Sequence, residues 1–206
     1  MSYVGDIASG RVTTAQPTAS PLRGADLATI PNLLSLARIA GFSLSVGLYL
    51  RGHGWPAVAI GIAAGLTDHL DGYLARRLRQ ETALGALLDQ AADSFTTAIL
   101  LAMLALAGGA PLAFLGVFLL REFWVGAVRR YGAAQGIDIP SNALGKWATA
   151  LLYLSILAVG VAILPEFPGA YAPPLRAAGL AGLGFGLAVS CLAAWHYTRA
   201  LTRRAA

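Results

Sequence analysis

The sequence predicts an all-α integral membrane protein, built as a bundle of six transmembrane helices. Hydrophobic residues make up 57% of the 206 residues and charged residues only 12%. The mean hydropathy is +0.65, well above that of soluble globular domains. The apolar residues also fall into six stretches of about 20 residues, the length that crosses a bilayer as a helix. A soluble domain of this composition would expose large apolar patches, so that class is excluded.

The six stretches follow one another with short connections, which predicts one domain over residues 26–206. They cover residues 31–50, 55–78, 82–107, 111–135, 142–164 and 175–200. Pro31 opens the first stretch, and its fixed φ suits the first turn of a helix. Residues 26–30 allow a short amino-terminal interfacial helix before it. Residues 1–25 are polar and lack the apolar core of a signal peptide, so we interpret them as a flexible cytoplasmic tail.

Basic residues indicate the orientation of the bundle. With the amino terminus inside, the inside segments hold eleven of the 15 Lys and Arg residues, and the outside loops hold only Arg51 and Arg176. This bias is the positive-inside signal, so both termini should face the cytoplasm. Arg38 and Arg121 lie within spans, where a charge is costly and marks a functional candidate. The net charge of +5 therefore suits a lipid surface and phosphate-bearing substrates, and we expect no nucleic-acid partner.

Four aspartates lie at bilayer depth: Asp68 and Asp71 in the second stretch, Asp89 and Asp93 in the third. Each carboxylate there costs roughly 2.5–3.5 kcal/mol on insertion scales, so the four need a compensating charge. Spacings of three and four residues place each pair on one helix face. A cytoplasmic turn at residues 77–81 joins the two stretches as a hairpin, which should bring the pairs together. Because hard cations such as Mg²⁺ or Mn²⁺ take oxygen ligands, the sequence predicts a site for one or two of them.

The motif around these aspartates includes further fixed positions. It reads D-x2-D-G-x2-A-R-x8-G-x3-D-x3-D, from Asp68 through Gly72, Arg76 and Gly85 to Asp93. Every fixed position and every gap resembles the signature of the CDP-alcohol phosphotransferase family. The six-span architecture of that family is similar as well, so the resemblance covers nearly all of the chain after residue 25.

The resemblance implies a reaction and a set of functional residues. An alcohol would attack the lipid-side phosphorus of CDP-diacylglycerol and release CMP. The four aspartates would hold two divalent ions, Mg²⁺ or Mn²⁺. Asp93 would also be the catalytic general base that takes the proton from the acceptor hydroxyl. The CDP moiety would be contacted by Gly72, Arg76 and Thr82, although Thr82 also suits a helix N-cap.

Two further parts of the sequence resemble the phosphatidylglycerophosphate synthases within that family. The first is I-P-N-L-L-S at residues 30–35, followed by Arg38. The second consists of R-E at 121–122, V-R at 128–129 and L-G-K at 144–146. These resemblances imply glycerol 3-phosphate as the acceptor, phosphatidylglycerophosphate and CMP as products in phospholipid biosynthesis, and a bacterial inner membrane as the location.

Four residues in these parts are candidates for substrate binding: Asn32, Arg121, Arg129 and Lys146. The acceptor phosphate would be held by some of the three cations, because arginine offers a planar fork and lysine a point charge. Other roles stay open. Arg129 and Lys146 also suit the cytoplasmic flank of a span, Arg121 suits an ion pair with Glu122, and Asn32 suits a local cap.

Two departures from the family pattern leave the acceptor open. The usual L-D-P-x-A-D-K reads L-D-Q-A-A-D-S at residues 88–94, and the second lysine of G-K-x-K-T is Ala148. With two cations missing, phosphatidylglycerol (cardiolipin formation) and inositol phosphate are alternative acceptors. A cation transporter is the alternative from another class, but it requires polar residues in both halves of the membrane, whereas these acids crowd one side. The resemblance also implies a homodimer.

Overall fold

The computed structural model describes residues 30–78, 83–137 and 143–205. All regular secondary structure in these ranges is α-helical, which confirms the predicted class. In chain order the helices are α1 (Ile30–Leu50), α2 (Gly54–Leu78), α3 (Ala83–Leu106), α4 (Ala113–Ala134), α5 (Ala143–Ala162) and α6 (Ala172–Ala205). Each begins within a few residues of a predicted span. The predicted tail and residues 26–29 of the predicted interfacial helix lie outside the described residues.

Within the described ranges, four helices are long and apolar enough to cross a membrane, which makes the chain an integral membrane protein. They are α1, α3, α5 and α6, through Asn32–Leu50, Leu87–Leu106, Leu144–Ala162 and Ala172–Thr202. In α2 the side chains are described only as far as Thr67, and Gly54–Thr67 is an apolar stretch shorter than a span. Arginines and a glutamate interrupt α4. The assignment of α2 and α4 as spans stays a prediction.

The helices pack as neighbouring pairs around one apolar core. The most extensive contacts join α1 to α2 and α5 to α6, while α3 packs against α1 and α4 against α6. The centre of the core is formed by Leu104 from α3, Val159 from α5 and Leu183 from α6, all 0% exposed. A smaller apolar cluster around Val128 and Tyr197 joins α4 to α6. This arrangement places α1, α3 and α5 side by side at the centre, where the candidate site lies.

Glycines allow the close approach of α1 to α2. The three-residue connection between them turns at Gly52, whose φ of 84° is accessible to glycine and strained for other residues. Farther along, a Cβ on Gly41 would lie 3.0 Å from the Cβ of Ala64, so a larger residue would push the helices apart. Small residues at such crossings are typical of membrane helices, because packing rather than water exclusion holds the helices together.

Candidate active site

The side chain of Arg38 is the centre of the candidate site, where α1 meets α3. The guanidinium is 2% exposed, and its Nη2 donates to Oδ1 of Asp89 at 2.6 Å. Its Nη1 lies 3.1 Å from Oδ1 of Asp93. One buried cation therefore contacts two carboxylates that are one helical turn apart. Charges at this depth are costly unless they are paired, so the mutual pairing accounts for the presence of all three.

Asp89 and Asp93 are open on the side away from the arginine. Their side chains are 50% and 45% exposed, and both direct an oxygen toward the same positive group. Two oxygen donors that converge on one cation suit a hard divalent ion such as Mg²⁺ or Mn²⁺, so the residues present fit the predicted metal. The described side chains contain no group of three or more acidic, His or Cys residues. The side chains of Asp68 and Asp71 lie outside that description.

A threonine and a tyrosine connect the carboxylate pair to α5. Thr97, one turn beyond Asp93, is 5% exposed, and its Oγ1 donates to the backbone oxygen of Asp93 at 3.0 Å. The same Oγ1 lies 3.3 Å from the hydroxyl of Tyr153. These contacts fix a phenol beside the two carboxylates, so the site is enclosed by α1, α3 and α5.

A second polar network starts at Ser94, the residue after Asp93. Its hydroxyl donates to Oε2 of Glu122 on α4 at 2.7 Å. Oε1 of Glu122 accepts a hydrogen bond from Nη1 of Arg121, so the ion pair that the sequence allowed for Arg121 is present. The Arg121 side chain is only 16% exposed, and within the described residues its buried Nε has no hydrogen-bond partner. The network therefore holds the guanidinium of Arg121 beside α3, the helix that carries Asp93, and leaves its Nε available to donate a hydrogen bond.

An apolar cleft of about 410 Å³ lies between α1, α2, α3 and α5. Arg38, which contacts the carboxylate pair, lines it together with Tyr153. Tyr49 and Gly160 line it as well, and the hydroxyl of Tyr49 donates to the backbone oxygen of Gly160 at 2.8 Å. Arg38 and Tyr49 are eleven residues apart on α1, or about 16 Å at the helical rise.

The walls of this cleft are hydrocarbon and its rim faces outward. Phe42, Leu100 and Met103 line the inner wall and are at most 8% exposed. Leu66 of α2 and Leu154 of α5 line it as well and are 63% and 64% exposed. Exposed leucines on both helices suit contact with lipid tails at the side of the cleft.

Residues 28–192, well over half of the chain, match the model of a family described as CDP-alcohol phosphatidyltransferase. The chain belongs to this family. The helical bundle, the signature that starts at Asp68 and the paired carboxylates of α3 are thus features of a member of this family, and the predicted family is confirmed.

Curated relatives of this phosphatidyltransferase carry two kinds of name. A CDP-diacylglycerol–glycerol-3-phosphate 3-phosphatidyltransferase of Arabidopsis thaliana is 37% identical over 59% of this chain and 47% of its own. A CMP-forming cardiolipin synthase of Streptomyces coelicolor is 40% identical over 59% of this chain and 60% of its own. The chain thus spans between about half and two thirds of the length of these relatives.

Solved structures show the same fold. Phosphatidylinositol phosphate synthase of Mycobacterium tuberculosis with CDP-DAG bound has a TM-score of 0.58 at 15% identity, covering 86% of this chain and 88% of that one. A structure of the same protein in complex with manganese and citrate has a TM-score of 0.54 at 19% identity, covering 82% and 79%. At these identities the likeness concerns the fold alone.

Several predicted site residues of this phosphatidyltransferase lie at or beyond the limits of the description. α2 continues as a helix through Asp68, Asp71, Gly72 and Arg76, but their side chains lie outside the described residues. Thr82 lies outside as a whole, between α2 and α3. Their roles at the metals and the CDP moiety remain predictions based on the family signature.

The other predicted binding residues occupy different surroundings. Arg129 lies on α4 with its guanidinium carbon 5.2 Å from the ring centroid of Tyr197 on α6. Lys146 is exposed near the start of α5. Asn32 is 1% exposed in the first turn of α1, so a substrate reaches it only if the bundle opens there. Of the candidate acceptor residues, Arg121 is the one that the described contacts connect to the helix of Asp93.

Some site residues were not identified from the sequence. Arg38 stood out as a charge within a span, but its two carboxylate partners are fifty-one and fifty-five residues away in the chain, and no local pattern predicts that pairing. Ser94 was noted as the loss of a family lysine, although it makes its own contact with Glu122. Nothing in the sequence marks Thr97 and Tyr153 as site residues, because a hydroxyl side chain in an apolar helix is as often a packing residue as a functional one.

Proposed function

We propose that the chain transfers the phosphatidyl group of CDP-diacylglycerol to glycerol 3-phosphate, giving phosphatidylglycerophosphate and CMP in phospholipid biosynthesis. The observation that carries this proposal is the convergence of Asp89 and Asp93 on one cation at the positions of the family's acidic signature. Relatives named for this reaction support glycerol 3-phosphate as the acceptor. The buried arginine with remaining donors on α4 supports an acceptor that carries a phosphate.

We also propose that two divalent ions, Mg²⁺ or Mn²⁺, are held by the carboxylates of Asp68, Asp71, Asp89 and Asp93. When bound, such ions stabilise the attacking and leaving oxygens of a displacement at phosphorus. The oxygen-only donors of α3 suit them, and a fold relative is in complex with manganese.

In the proposed reaction, Asp93 accepts the proton of the acceptor hydroxyl. The bond from the acceptor oxygen to the lipid-side phosphorus forms, the bond from that phosphorus to the oxygen of CMP breaks, and CMP leaves. Asp93 suits this task because it is 45% exposed and so can be reached by a polar acceptor. The Thr97 hydroxyl donates to the backbone oxygen of Asp93, which fixes this turn of α3 and so the position from which the carboxylate accepts the proton.

The remaining substrate contacts are assigned to the family positions. Gly72, Arg76 and Thr82 bind the CDP moiety, and Arg121 binds the acceptor phosphate with help from Arg129 and Lys146. Asn32, at the start of α1, is assigned a secondary contact with the substrate. Arg121 is assigned the main contact with the acceptor phosphate, because Glu122 fixes its guanidinium and its Nε is still available as a donor.

The apolar cleft suits one acyl chain of the donor lipid. It is lined by Arg38, which contacts both carboxylates, and its walls are hydrocarbon. Because the bilayer is itself apolar, the cleft contributes packing contacts and position rather than removal of the chain from water. The cleft therefore positions CDP-diacylglycerol with its reactive phosphorus at the polar end.

A leucine at Gly65 is expected to obstruct this cleft. Gly65 lines it, and a Cβ there would meet only the Phe42 ring at 3.8 Å, so the backbone tolerates a side chain while the rest of a leucine fills the cleft. Gly65→Leu should raise KM for CDP-dioleoylglycerol by about tenfold, because the leucine excludes the acyl chain from the cleft and its packing contacts are lost. KM for a donor with short acyl chains should rise much less.

Gly116→Leu is the matched control for this variant. Gly116 lies on α4 away from the cleft, and a Cβ there would meet nothing within 4 Å. It should leave KM unchanged for both donors. If Gly65→Leu raised KM equally for long-chain and short-chain donors, the acyl chain would not occupy this cleft.

We place the enzyme in a bacterial inner membrane with six spans, as one transmembrane domain over residues 26–206. We propose that residues 1–25, both chain termini and the active site face the cytoplasm. The charge distribution of the sequence supports this orientation. A homodimer is the proposed assembly, by analogy with the family.

A panel of acceptors tests the function directly. Purified protein with CDP-diacylglycerol and Mg²⁺ should release CMP fastest with glycerol 3-phosphate, at least tenfold faster than with phosphatidylglycerol or inositol phosphate. The second candidate is cardiolipin formation, which is favoured by the loss of lysine at Ser94 and Ala148 and by the relative from Streptomyces coelicolor. A preference for phosphatidylglycerol would replace the proposed acceptor with that candidate. If none of the acceptors in the panel supports release of CMP, both candidate functions are contradicted.

A further inference from the structure

Arg38 occupies a position for which the proposed reaction supplies no role. It is among the largest fully buried side chains of the described residues, at 2% exposure. Both of its recorded acidic partners, Asp89 and Asp93, belong to the proposed metal cluster. The same carboxylate oxygens are therefore expected to serve a guanidinium and a divalent ion.

These two uses of the oxygens oppose each other. The Oδ1 atom of Asp89 accepts a hydrogen bond of 2.6 Å from Arg38, so a metal ion at that oxygen competes for the same lone pairs. A metal ion also meets the positive charge of the guanidinium at short range, in surroundings poorer in water than bulk solvent, where like charges repel strongly. Metal binding to Asp89 and Asp93 is therefore expected to loosen the contacts of Arg38.

Without metal, the same pairing is stabilising. Asp89 and Asp93 are one turn apart on α3, and two carboxylates at that distance repel each other when both are ionised. Arg38 neutralises part of that charge, and because it belongs to α1 it also ties α1 to α3. Removal of one member of such a set leaves a charge at bilayer depth without a partner.

We propose that Arg38 is a resident counter-cation, which holds Asp89 and Asp93 in place before metal binds and yields them to the divalent ion. Arg38 is thus a positioning residue that lowers metal affinity while it stabilises the metal-free bundle. After displacement, its guanidinium remains at the polar end of the cleft that it lines, where an anionic group of the donor lipid is a suitable partner. This inference rests on the proposed metal site.

The test measures metal binding and metal-free stability in the full chain purified in detergent. Binding of Mn²⁺ alone is followed through the electron paramagnetic resonance signal of the free ion, and thermal unfolding is recorded with a chelator present. Arg38→Met should bind Mn²⁺ about tenfold more tightly, because a competing like charge is gone. Its metal-free melting temperature should fall by about 5 °C or more. If Arg38 had a merely structural role, its replacement would weaken Mn²⁺ binding and also lower the metal-free melting temperature.

Two further variants complete the experiment. Arg38→Lys keeps a charge but cannot contact both carboxylates as a planar fork does, so it should bind Mn²⁺ about threefold more tightly and melt between the other two proteins. It also provides the test if Arg38→Met does not fold. Arg176→Met is the matched control: it loses hydrogen bonds to the backbone oxygens of Gly108 and Gly109, and should lower the melting temperature without changing Mn²⁺ affinity.

The outcomes separate the two proposals. If the unaltered protein binds Mn²⁺ and both Arg38 variants bind it equally or more weakly, the counter-cation role is wrong and the proposed function stands. If the unaltered protein binds no Mn²⁺, the proposed metal site itself fails and the role of Arg38 fails with it. Tighter binding together with lower metal-free stability supports the inference.

Discussion

Asp93→Asn is expected to lower the rate of CMP release by about 1,000-fold, because the acceptor hydroxyl loses its general base. Contributions of general bases are typically 10²–10⁴-fold, and loss of one proposed metal ligand adds to the effect. The protein should still fold, since Arg38 keeps its 2.6 Å hydrogen bond to Asp89 and the Thr97 hydroxyl bonds to the backbone oxygen of residue 93 rather than to its side chain.

The measurement is single-turnover release of CMP from CDP-diacylglycerol at saturating glycerol 3-phosphate and Mg²⁺, with thermal unfolding to confirm folding. Gln90→Ala is the control, because Gln90 is exposed on the same helix beside Asp89 and should retain most of the activity. Turnover of Asp93→Asn within tenfold of the unaltered protein would remove Asp93 from the role of base.

Arg121→Met should give the second large effect, a rise of about 100-fold in KM for glycerol 3-phosphate. The guanidinium is mostly buried, and Glu122 holds it through one nitrogen while Nε remains available. A charge-assisted contact to phosphate in such surroundings is worth several kcal/mol when one partner is truncated, and 2.7 kcal/mol corresponds to a factor of about 100. KM for CDP-diacylglycerol should change by less than threefold.

Arg130→Met tests whether the effect depends on position rather than on net charge. Arg130 lies on the same helix but is exposed, so its loss removes an equal charge and should change KM for glycerol 3-phosphate by less than threefold. Similar losses in the two variants would indicate general attraction of the anionic acceptor to the cytoplasmic surface. A larger rise in KM for the donor than for the acceptor would assign Arg121 to CDP-diacylglycerol instead.

The helices could be predicted from the sequence because hydropathy and length determine them locally. A run of about 20 apolar residues has few alternatives in a bilayer, where each backbone polar group must be satisfied within its own segment. The sequence predicts six spans, whereas four helices of the described residues are long and apolar enough to be spans; arginines and a glutamate interrupt α4.

The partners of the site residues could be predicted only in part. Asp89 and Asp93 share a helix, so their spacing alone placed them on one face. The contact of Arg38 with both depends on how α1 rotates against α3, and no local pattern in the sequence determines that rotation. Likewise, the missing lysine at Ser94 suggested a weaker acceptor site, whereas the contact of Ser94 with Glu122 depends on the distance between α3 and α4.

The hydrogen bond from Tyr49 to the backbone oxygen of Gly160 has a consequence for the proposed donor. It joins α1 to α5 beside the part of the cleft that lies farthest along α1 from Arg38. If an acyl chain of CDP-diacylglycerol occupies the cleft, a tail that extends past Tyr49 must lie among the bulk lipids. Donors with very long tails are therefore expected to bind no more tightly than donors whose tails end at Tyr49.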